Sequence, residues 1–502
     1  MAQLQTAEFV HEAQLFPDLE YAFKHALTHE VAYESVLQDR RRALHAAIVE
    51  AIERLYADRI PEQVERLAHH AVRGRMFTKA VRYLKEAGSK AAGRSATREA
   101  VAYFEEALAL LDELPETAQT LSEALDLRIA LGPALIGLKG SPSQEVEASY
   151  RRARDLVDRL GDVSRRFPVL WGLWYVKFTR GEYPEAIDAG ERLLATAQNG
   201  DDTSQLLEAH HSIWPTLTGM GEHRAAIAHI ERGIALYDRQ RDASQTYVYG
   251  GHDPGACCRW HLAQNRWALG YPDGALSAAQ DALRLAEDLQ HHSTTGIALY
   301  NAAWLHYQRG ESEAAVANAE RAISMASSHG LAGWIDAATV LRHASSDERL
   351  NTRVLGALLH RIKSSVMTAS RNAYSLCVLA ALYAEAGDTE QGRSALASMG
   401  EDIRRGFYAA EVLRIEGELI LKSTGPGAGE GERRLRDAIV LARAREEKAF
   451  ELRATTTLAR LLDRQDRREE AHAALAAVCG WFTEGFDTAD LKAAKALLQE
   501  LS

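Results

Sequence analysis

The stretch GYPDGALSAAQDALRLAEDL, residues 270–289, decides the fold that we expect for this chain. Its apolar side chains recur at positions i, i+3, i+4 and i+7 among strong helix formers, which is the pattern of an amphipathic helix. Gly270 stands before the helix, and Ala275 follows five residues later. A glycine suits a tight reversal between antiparallel helices, and a small residue in the first turn lets the preceding helix approach closely. The stretch therefore predicts the second half of a helical hairpin.

The same spacing recurs along the chain and indicates an array of such hairpins. Three further pairs repeat it: Gly181/Ala186, Gly221/Ala226 and Gly310/Ala315. Less regular copies are Arg75/Ala80, Ser95/Ala100, Gly387/Gly392 and Asp466/Ala471. One hairpin cannot bury its apolar face alone, so we expect neighbours to stack into a superhelical solenoid with a concave groove. No stretch alternates convincingly with a period of two residues, and the predicted fold is all-α.

Composition excludes several classes of protein. The 502 residues include 59 Lys and Arg against 70 Asp and Glu, a net charge of −11 that disfavours binding to nucleic acid or anionic lipid through bulk charge. No apolar run approaches the length of about 18 residues needed to span a bilayer. The first residues lack the basic and apolar regions of a secretory signal, and the four cysteines form no disulfide framework. We expect a cytoplasmic protein with reduced thiols and with neither nucleic acid nor membrane as a partner.

Two family resemblances carry the interpretation further. The small residues at these relative positions resemble the tetratricopeptide repeat (TPR). Residues 19–53, LEYAFKHALTHEVAYESVLQDRRRALHAAIVEAIE, resemble the end of the winged-helix region in signal-transduction ATPases with numerous domains. The residues that match the pattern of that family are Phe23, His25, Tyr33, Arg41 and His45. This resemblance implies a partial winged-helix segment at residues 1–60 and a TPR-like solenoid at residues 61–502.

Later segments resemble the same multidomain proteins, in which a nucleotide cyclase and an ATPase precede the TPR solenoid. They are YGGHDPGACC at residues 249–258 and CGWFTEGFDTADLKAAKALLQEL at residues 479–501. Residues 480–502 are expected to form a C-terminal capping helix with apolar contacts from Trp481, Phe482 and Phe486. Since neither catalytic domain is visible, the resemblance implies a non-catalytic sensor and scaffold that binds protein partners, including cyclase and ATPase domains. The alternative is a fragment that is active only with separately encoded catalytic domains.

A phosphate-loop spacing at residues 88–95, GSKAAGRS, is interpreted as a turn between repeats. A working phosphate loop follows a strand, whereas the residues before Gly88 have a helical pattern. The histidine doublets show no metal-ligand spacing, and the vicinal Cys257 and Cys258 suit a packing face. We therefore expect neither a metal nor a cofactor. Six tryptophans are expected in the core between repeats: Trp171, Trp174, Trp214, Trp260, Trp267 and Trp304.

One interval between the central glycines is longer than its neighbours and gives the candidate binding site. The intervals from 181 to 221 and from 270 to 310 span 40 residues, whereas that from 221 to 270 spans 49. Inserted residues in repeat arrays collect on one face, which is often the binding face. We predict a ligand-facing loop built around Tyr247, Tyr249, His252 and Asp253. The alternative is a turn that packs against the next helix, with buried aromatic side chains and Asp253 as the helix cap.

Overall fold

The computed structural model describes residues 2–14, 20–94, 96–242, 245–246, 248–328, 332–365, 369–424 and 429–502. The chain divides into two compact units, Met1–Leu127 and Arg128–Ser502. Residue 61, where the sequence places the start of the solenoid, lies inside the first unit. The fold is all-α and TPR-like, because antiparallel helical hairpins follow one another along the chain and the only strands of the described residues are two short ones.

The first unit begins with an antiparallel β-hairpin in which Val10 pairs with Phe23. Its elements are α1 (Ala2–Thr6), β1 (Val10–Gln14), β2 (Glu20–Phe23), α2 (Ala26–Glu34), α3 (Gln38–Leu55), α4 (Ile60–Arg73), α5 (Phe77–Gly93), α6 (Thr97–Asp112) and α7 (Ala118–Lys139), which continues past residue 127. Tyr33 and His45 lie 3.0 Å apart, from the hydroxyl oxygen to Nε2. That contact joins α2 to α3, and the assignment of residues 1–60 to a winged helix remains a prediction.

The second unit contains the remaining hairpins. Its helices are α8 (Gln144–Leu160), α9 (Arg166–Arg180), α10 (Tyr183–Gln198), α11 (Thr203–Met220), α12 (His223–Leu236), α13 (Arg239–Asp242), α14 (Pro254–Ala268), α15 (Pro272–Leu289), α16 (His292–Arg309), α17 (Ser312–Ser328), α18 (Ala332–Ala344), α19 (Thr352–Lys363), α20 (Ala369–Ala386), α21 (Thr389–Ala397), α22 (Glu401–Arg404), α23 (Ala409–Thr424), α24 (Gly429–Ala444), α25 (Lys448–Arg464), α26 (Arg468–Cys479) and α27 (Ala489–Leu501).

The turns between paired helices confirm the predicted glycine spacing. The four regular glycines, Gly181, Gly221, Gly270 and Gly310, have φ between 78° and 92°, a left-handed conformation that glycine adopts without a steric penalty. The alanine five residues after each of them is fully buried. The irregular copies at Arg75, Gly387 and Asp466 are also left-handed, whereas Ser95 lies outside the described residues. The spacing therefore marks the same turn even where glycine is absent.

The six tryptophans expected in the core are all buried. The phosphate-loop spacing, by contrast, is not the turn that the sequence suggested, because α5 continues to Gly93. Gly88 sits inside this helix, where an added Cβ would lie 2.6 Å from the ring of Phe104. Glycine is thus required there for close packing of α5 on α6. Among the described helices, none is both long enough and apolar enough to cross a membrane.

Hairpins late in the second unit return to contact those in its middle. The backbone N–H of Phe407 donates to the carbonyl oxygen of Gly219 at 2.9 Å, and α14 contacts α25. His223 is hydrogen-bonded at Nδ1 to Asn265 (2.8 Å) and at Nε2 to Glu447 (3.1 Å). All three of these side chains are buried. The second unit is therefore closed on itself by contacts between hairpins that are not neighbours in sequence.

The C-terminal segment takes part in this closure. Helix α27 runs from Ala489 to Leu501, so residues 480–488 of the predicted capping helix lie in an irregular stretch before it. Arg309 at the end of α16 donates to the carboxylate of Asp487 at 3.3 Å. Of the three aromatic residues expected to make apolar contacts, Phe482 is 7% exposed, whereas Trp481 and Phe486 are 36% and 46% exposed. Phe486 lies in the irregular stretch before α27 under the ammonium of Lys495.

Candidate functional site

The loop of the long interval lies between α13 and α14. Tyr247 lies outside the described residues, while Tyr249 is 6% exposed and packs against Trp171 with a ring separation of 5.2 Å. Burial raises the pKa of Tyr249 well above its usual value. The described tyrosine of the predicted site is therefore part of an aromatic cluster.

Asp253 caps α14. Its Oδ1 accepts from the backbone N–H of Ala256 at 2.8 Å, and its Oδ2 accepts from the hydroxyl of Tyr237 at 3.0 Å. The backbone N–H of Asp253 donates to Thr294 Oγ1 at 3.0 Å. Burial raises the pKa of Asp253 despite these hydrogen bonds. These contacts fulfil the capping role of the alternative interpretation, and the ligand-facing role of the loop remains a prediction.

His252 is half-buried and contacts a residue that is distant from it in sequence. Its Nε2 lies 3.2 Å from Nε2 of His211 in α11. Cys257, in the first turn of α14, completes a group whose nitrogen and sulfur atoms all lie within 4.8 Å of one another. These three side chains, which we call the His-His-Cys cluster, could hold a metal ion.

A buried carboxylate contacts one histidine of the His-His-Cys cluster. Glu208 Oε2 lies 2.8 Å from Nδ1 of His211, and the side chain of Glu208 is fully buried. Burial raises the pKa of Glu208, and the charges of Asp253 and Asp242 add to this effect. Burial also lowers the pKa of His211 to about 3 and raises that of the Cys257 thiol.

A separate cavity of about 370 Å³ opens in the second unit among α16, α18, α20, α23, α25 and α27. Three tyrosines line it, Tyr307, Tyr374 and Tyr408, and the rings of Tyr374 and Tyr408 are 5.4 Å apart. Burial raises the pKa of Tyr307 to about 12. The hydroxyl of Tyr374 is buried without a hydrogen-bond partner among the described residues. The cavity thus offers aromatic surface together with an unused polar group.

Partly buried ion pairs form the charged wall of this cavity. Arg414 reaches Glu411 and Glu418 at 2.7 Å each, and Arg453 reaches Asp490 at 2.6 Å. Burial alone would raise the pKa of Glu411, but the guanidinium of Arg414 outweighs it and the pKa is lowered. These side chains present both signs of charge at fixed positions.

Sequence reasoning predicted His252 as a site residue but did not predict its partners His211 and Cys257, and it missed the cavity altogether. In the His-His-Cys cluster, His211 and His252 are 41 positions apart, so no local spacing marks them. The only hint was that a histidine doublet lies on one long helix and a cysteine doublet follows the unusual loop. The cavity residues come from six helices and from the turns between them, and they have no motif at all.

Comparison with known proteins gives limited similarity. No family model matches the chain. An uncharacterized protein of Rhizobium meliloti (strain 1021) is 28% identical over 273 residues, which are 54% of this chain and 26% of that protein. The chain therefore matches only about a quarter of the length of that relative.

Two solved structures are similar over most of the chain. The crystal structure of Rap protein complexed with Competence and Sporulation Factor has a TM-score of 0.45 and 12% identity, covering 84% of this chain and 99% of that one. A monomeric mutant of IFIT1 with Gppp-AAAA has a TM-score of 0.41 and 11% identity, covering 84% and 90%. The hairpins themselves place this chain among the TPR-like helical repeat proteins, a class whose fold suits protein interaction.

Proposed function

We propose that this chain is a non-catalytic cytoplasmic scaffold of a cyclase–ATPase signalling system, and that it binds a segment of a protein partner in the cavity of the second unit. The observation that carries the proposal is the cavity itself. Its volume of about 370 Å³ falls in the range of about 300–1,000 Å³ that is common for ligand sites.

The lining of the cavity suits a peptide. A peptide backbone carries donors and acceptors in alternation, and the wall offers arginines and carboxylates side by side. The tyrosine rings supply contact area for an apolar side chain, and the free hydroxyl of Tyr374 supplies a hydrogen bond.

A binding role is also supported by the chemistry of the nearby nucleophile. Cys377 lines the cavity, but burial raises the pKa of its thiol, which keeps the sulfur protonated and unreactive. The lining arginines Arg414 and Arg453 are held by carboxylates of this chain, so both charges are already compensated. These features favour recognition over turnover.

The second candidate is a fragment that acts only together with separately encoded cyclase and ATPase chains. It is favoured by the Rhizobium relative, in which the matched region makes up 26% of a much longer polypeptide.

Filling the cavity tests the proposal. Ala381 and Ala493 are half-buried lining residues, so the double variant Ala381→Phe with Ala493→Phe adds two rings to the open space. We expect it to lose the proteins that the wild-type chain captures from a native lysate, while its thermal unfolding midpoint stays close to that of the wild type. The control is Ala317→Phe, which places a ring on the exposed face of α17 and leaves capture unchanged.

Two results would contradict the proposal. One is capture that is equal for the cavity-filled and control variants, which would exclude the cavity as the binding surface. The other is ATP hydrolysis or cyclic-nucleotide formation by the purified chain alone. If the captured proteins include a cyclase or an ATPase, adding them back separates the two candidates, because only the fragment hypothesis requires this chain for their activity.

A further inference from the structure

The His-His-Cys cluster contains an unusual contact between two imidazoles. Nε2 of His211 and Nε2 of His252 point at each other across 3.2 Å. Whether this contact attracts or repels depends on which of the two nitrogens carries hydrogen, and the neighbours of each ring decide that.

The hydrogen bonds at the other ring nitrogens fix the tautomers. Nδ1 of His252 lies 3.0 Å from the carbonyl oxygen of Gly250, which can only accept, so Nδ1 carries the hydrogen. Nδ1 of His211 lies 2.8 Å from the carboxylate of Glu208, and it donates when that carboxylate is ionised. Each neutral ring then has a bare lone pair at Nε2. Two lone pairs that face each other at this distance repel unless a cation lies between them.

We propose that His211, His252 and Cys257 bind one Zn²⁺ ion. A zinc ion bound tetrahedrally by two imidazoles, at about 2.0–2.1 Å from each nitrogen, separates those nitrogens by about 3.3 Å, close to the 3.2 Å observed here. Two imidazoles and a thiolate form a borderline-soft ligand set that suits zinc better than magnesium or calcium. The partial exposure of His252 gives the ion a route from solvent.

The surroundings of the cluster resemble those of metal sites in general. A histidine ligand usually donates its second N–H to a carboxylate or carbonyl, and here Glu208 and Gly250 take those two roles. The ring of Trp214 stacks on His211 at 4.9 Å, and Trp260 lies 5.5 Å from His252. This aromatic shell restricts water around the ligands. The positive ion would also compensate the fully buried charge of Glu208.

Without a metal ion the same contact is favourable only when the chain from Glu208 to His252 holds one added proton. Either Glu208 holds that proton and donates it to Nδ1 of His211, or one of the two rings is an imidazolium, and in each case one Nε2 donates to the other. The experiment distinguishes this proton-sharing chain from a metal site, because only the latter places the Cys257 sulfur on an ion.

Cobalt substitution gives a direct test on the full chain. The protein is stripped with EDTA, desalted and titrated with Co²⁺, which reports thiolate ligation through a charge-transfer band in the near ultraviolet. We expect the band to saturate at one equivalent and to disappear when Zn²⁺ is added. We also expect one equivalent of Zn²⁺ to raise the thermal unfolding midpoint.

The sequence provides matched controls, because each doublet has a second member that points elsewhere. The thiol of Cys258 donates a hydrogen bond to the carbonyl oxygen of Gly255 at 3.1 Å. Nδ1 of His210 lies 2.9 Å from Nδ1 of His229. Cys257→Ser and His211→Gln should abolish the cobalt band, whereas Cys258→Ser and His210→Gln should keep it. Glu208→Gln should weaken zinc affinity by about 10–100-fold without removing the band.

The proposal is overturned if the wild-type chain shows no thiolate band with Co²⁺, which leaves the proton-sharing chain as the account of the contact. It is equally overturned if Cys258→Ser removes the band as completely as Cys257→Ser while both variants keep the wild-type helical spectrum. Since the wild-type titration is informative alone, misfolding of a variant does not leave the question open.

Discussion

Gly310 and Gly387 occupy equivalent turn positions and differ in what lies next to them. Both are left-handed, with φ of +78° and +85°. A Cβ at Gly387 would meet nothing within 4 Å, whereas one at Gly310 would overlap the Cβ of Ala489. An alanine at Gly387 therefore adds only the backbone cost of a left-handed residue, whereas an alanine at Gly310 adds a packing cost as well.

We predict that Gly387→Ala lowers the free energy of unfolding by about 1–2 kcal/mol, the cost of left-handed backbone for a residue with a Cβ. Gly310→Ala should cost about 1–3 kcal/mol more, because α27 must also shift away from the turn. Urea denaturation of both variants measures the difference. Equal losses would mean that the C-terminal segment does not pack on this turn.

The turn glycines and their alanine partners could be predicted from sequence because the constraint is local. A left-handed residue followed five positions later by a small one is required by each hairpin alone, so it repeats. The His-His-Cys cluster could not be predicted in this way, because His211 and His252 meet only after α11 and α14 have packed. The loop residues were noticed by their unusual interval, which says where a feature lies but not what it contacts.

At the scale of elements, two aromatic residues in the stretch before α27 differ in how far they are buried. Phe482 is buried against the last hairpins, whereas Phe486 is nearly half exposed. We predict that Phe482→Ala lowers the free energy of unfolding by about 3 kcal/mol through lost burial and an empty cavity. Phe486→Ala should cost less than about 1 kcal/mol. Chemical denaturation of the two variants compares them, and a larger loss for Phe486→Ala would contradict the assigned packing.

Helix positions were predictable from periodicity, whereas their ends were less so. The segment at residues 88–95 has the composition of a turn, yet α5 continues to Gly93 because Gly88 makes room for Phe104. Tertiary packing decided the conformation there. Likewise, composition alone could not distinguish Phe482 from Phe486, since both lie in an irregular stretch without a periodic face.

At the scale of the second unit, the closing contacts include one buried and one exposed carboxylate, adjacent in sequence. Glu447 is buried against His223, whereas Glu446 pairs with Arg224 and is 54% exposed. We predict that Glu447→Ala lowers the free energy of unfolding by about 1–3 kcal/mol, because it leaves His223 buried without this partner. Glu446→Ala should cost less than about 1 kcal/mol.

Hydrogen exchange followed by mass spectrometry locates the effect. Glu447→Ala should speed exchange in α12 and in the first turn of α25 together, since both ends of the contact are loosened. Faster exchange in α25 alone would show that the two regions are not energetically coupled. No sequence pattern predicts this closure, because its partners are 224 positions apart. The periodicity of the repeats predicts only the contacts between adjacent hairpins.

Closure also sets how many hairpins the second unit can hold. An open array gains or loses a repeat easily, since each hairpin touches only the adjacent ones. Here one extra hairpin between α17 and α23 would carry Glu447 away from His223 and Asp487 away from Arg309 by the width of a repeat. We therefore expect duplication or deletion of a hairpin in this stretch to break both contacts. Proteins that share the closure should keep the hairpin number constant between these contacts and should vary in length only at their loops.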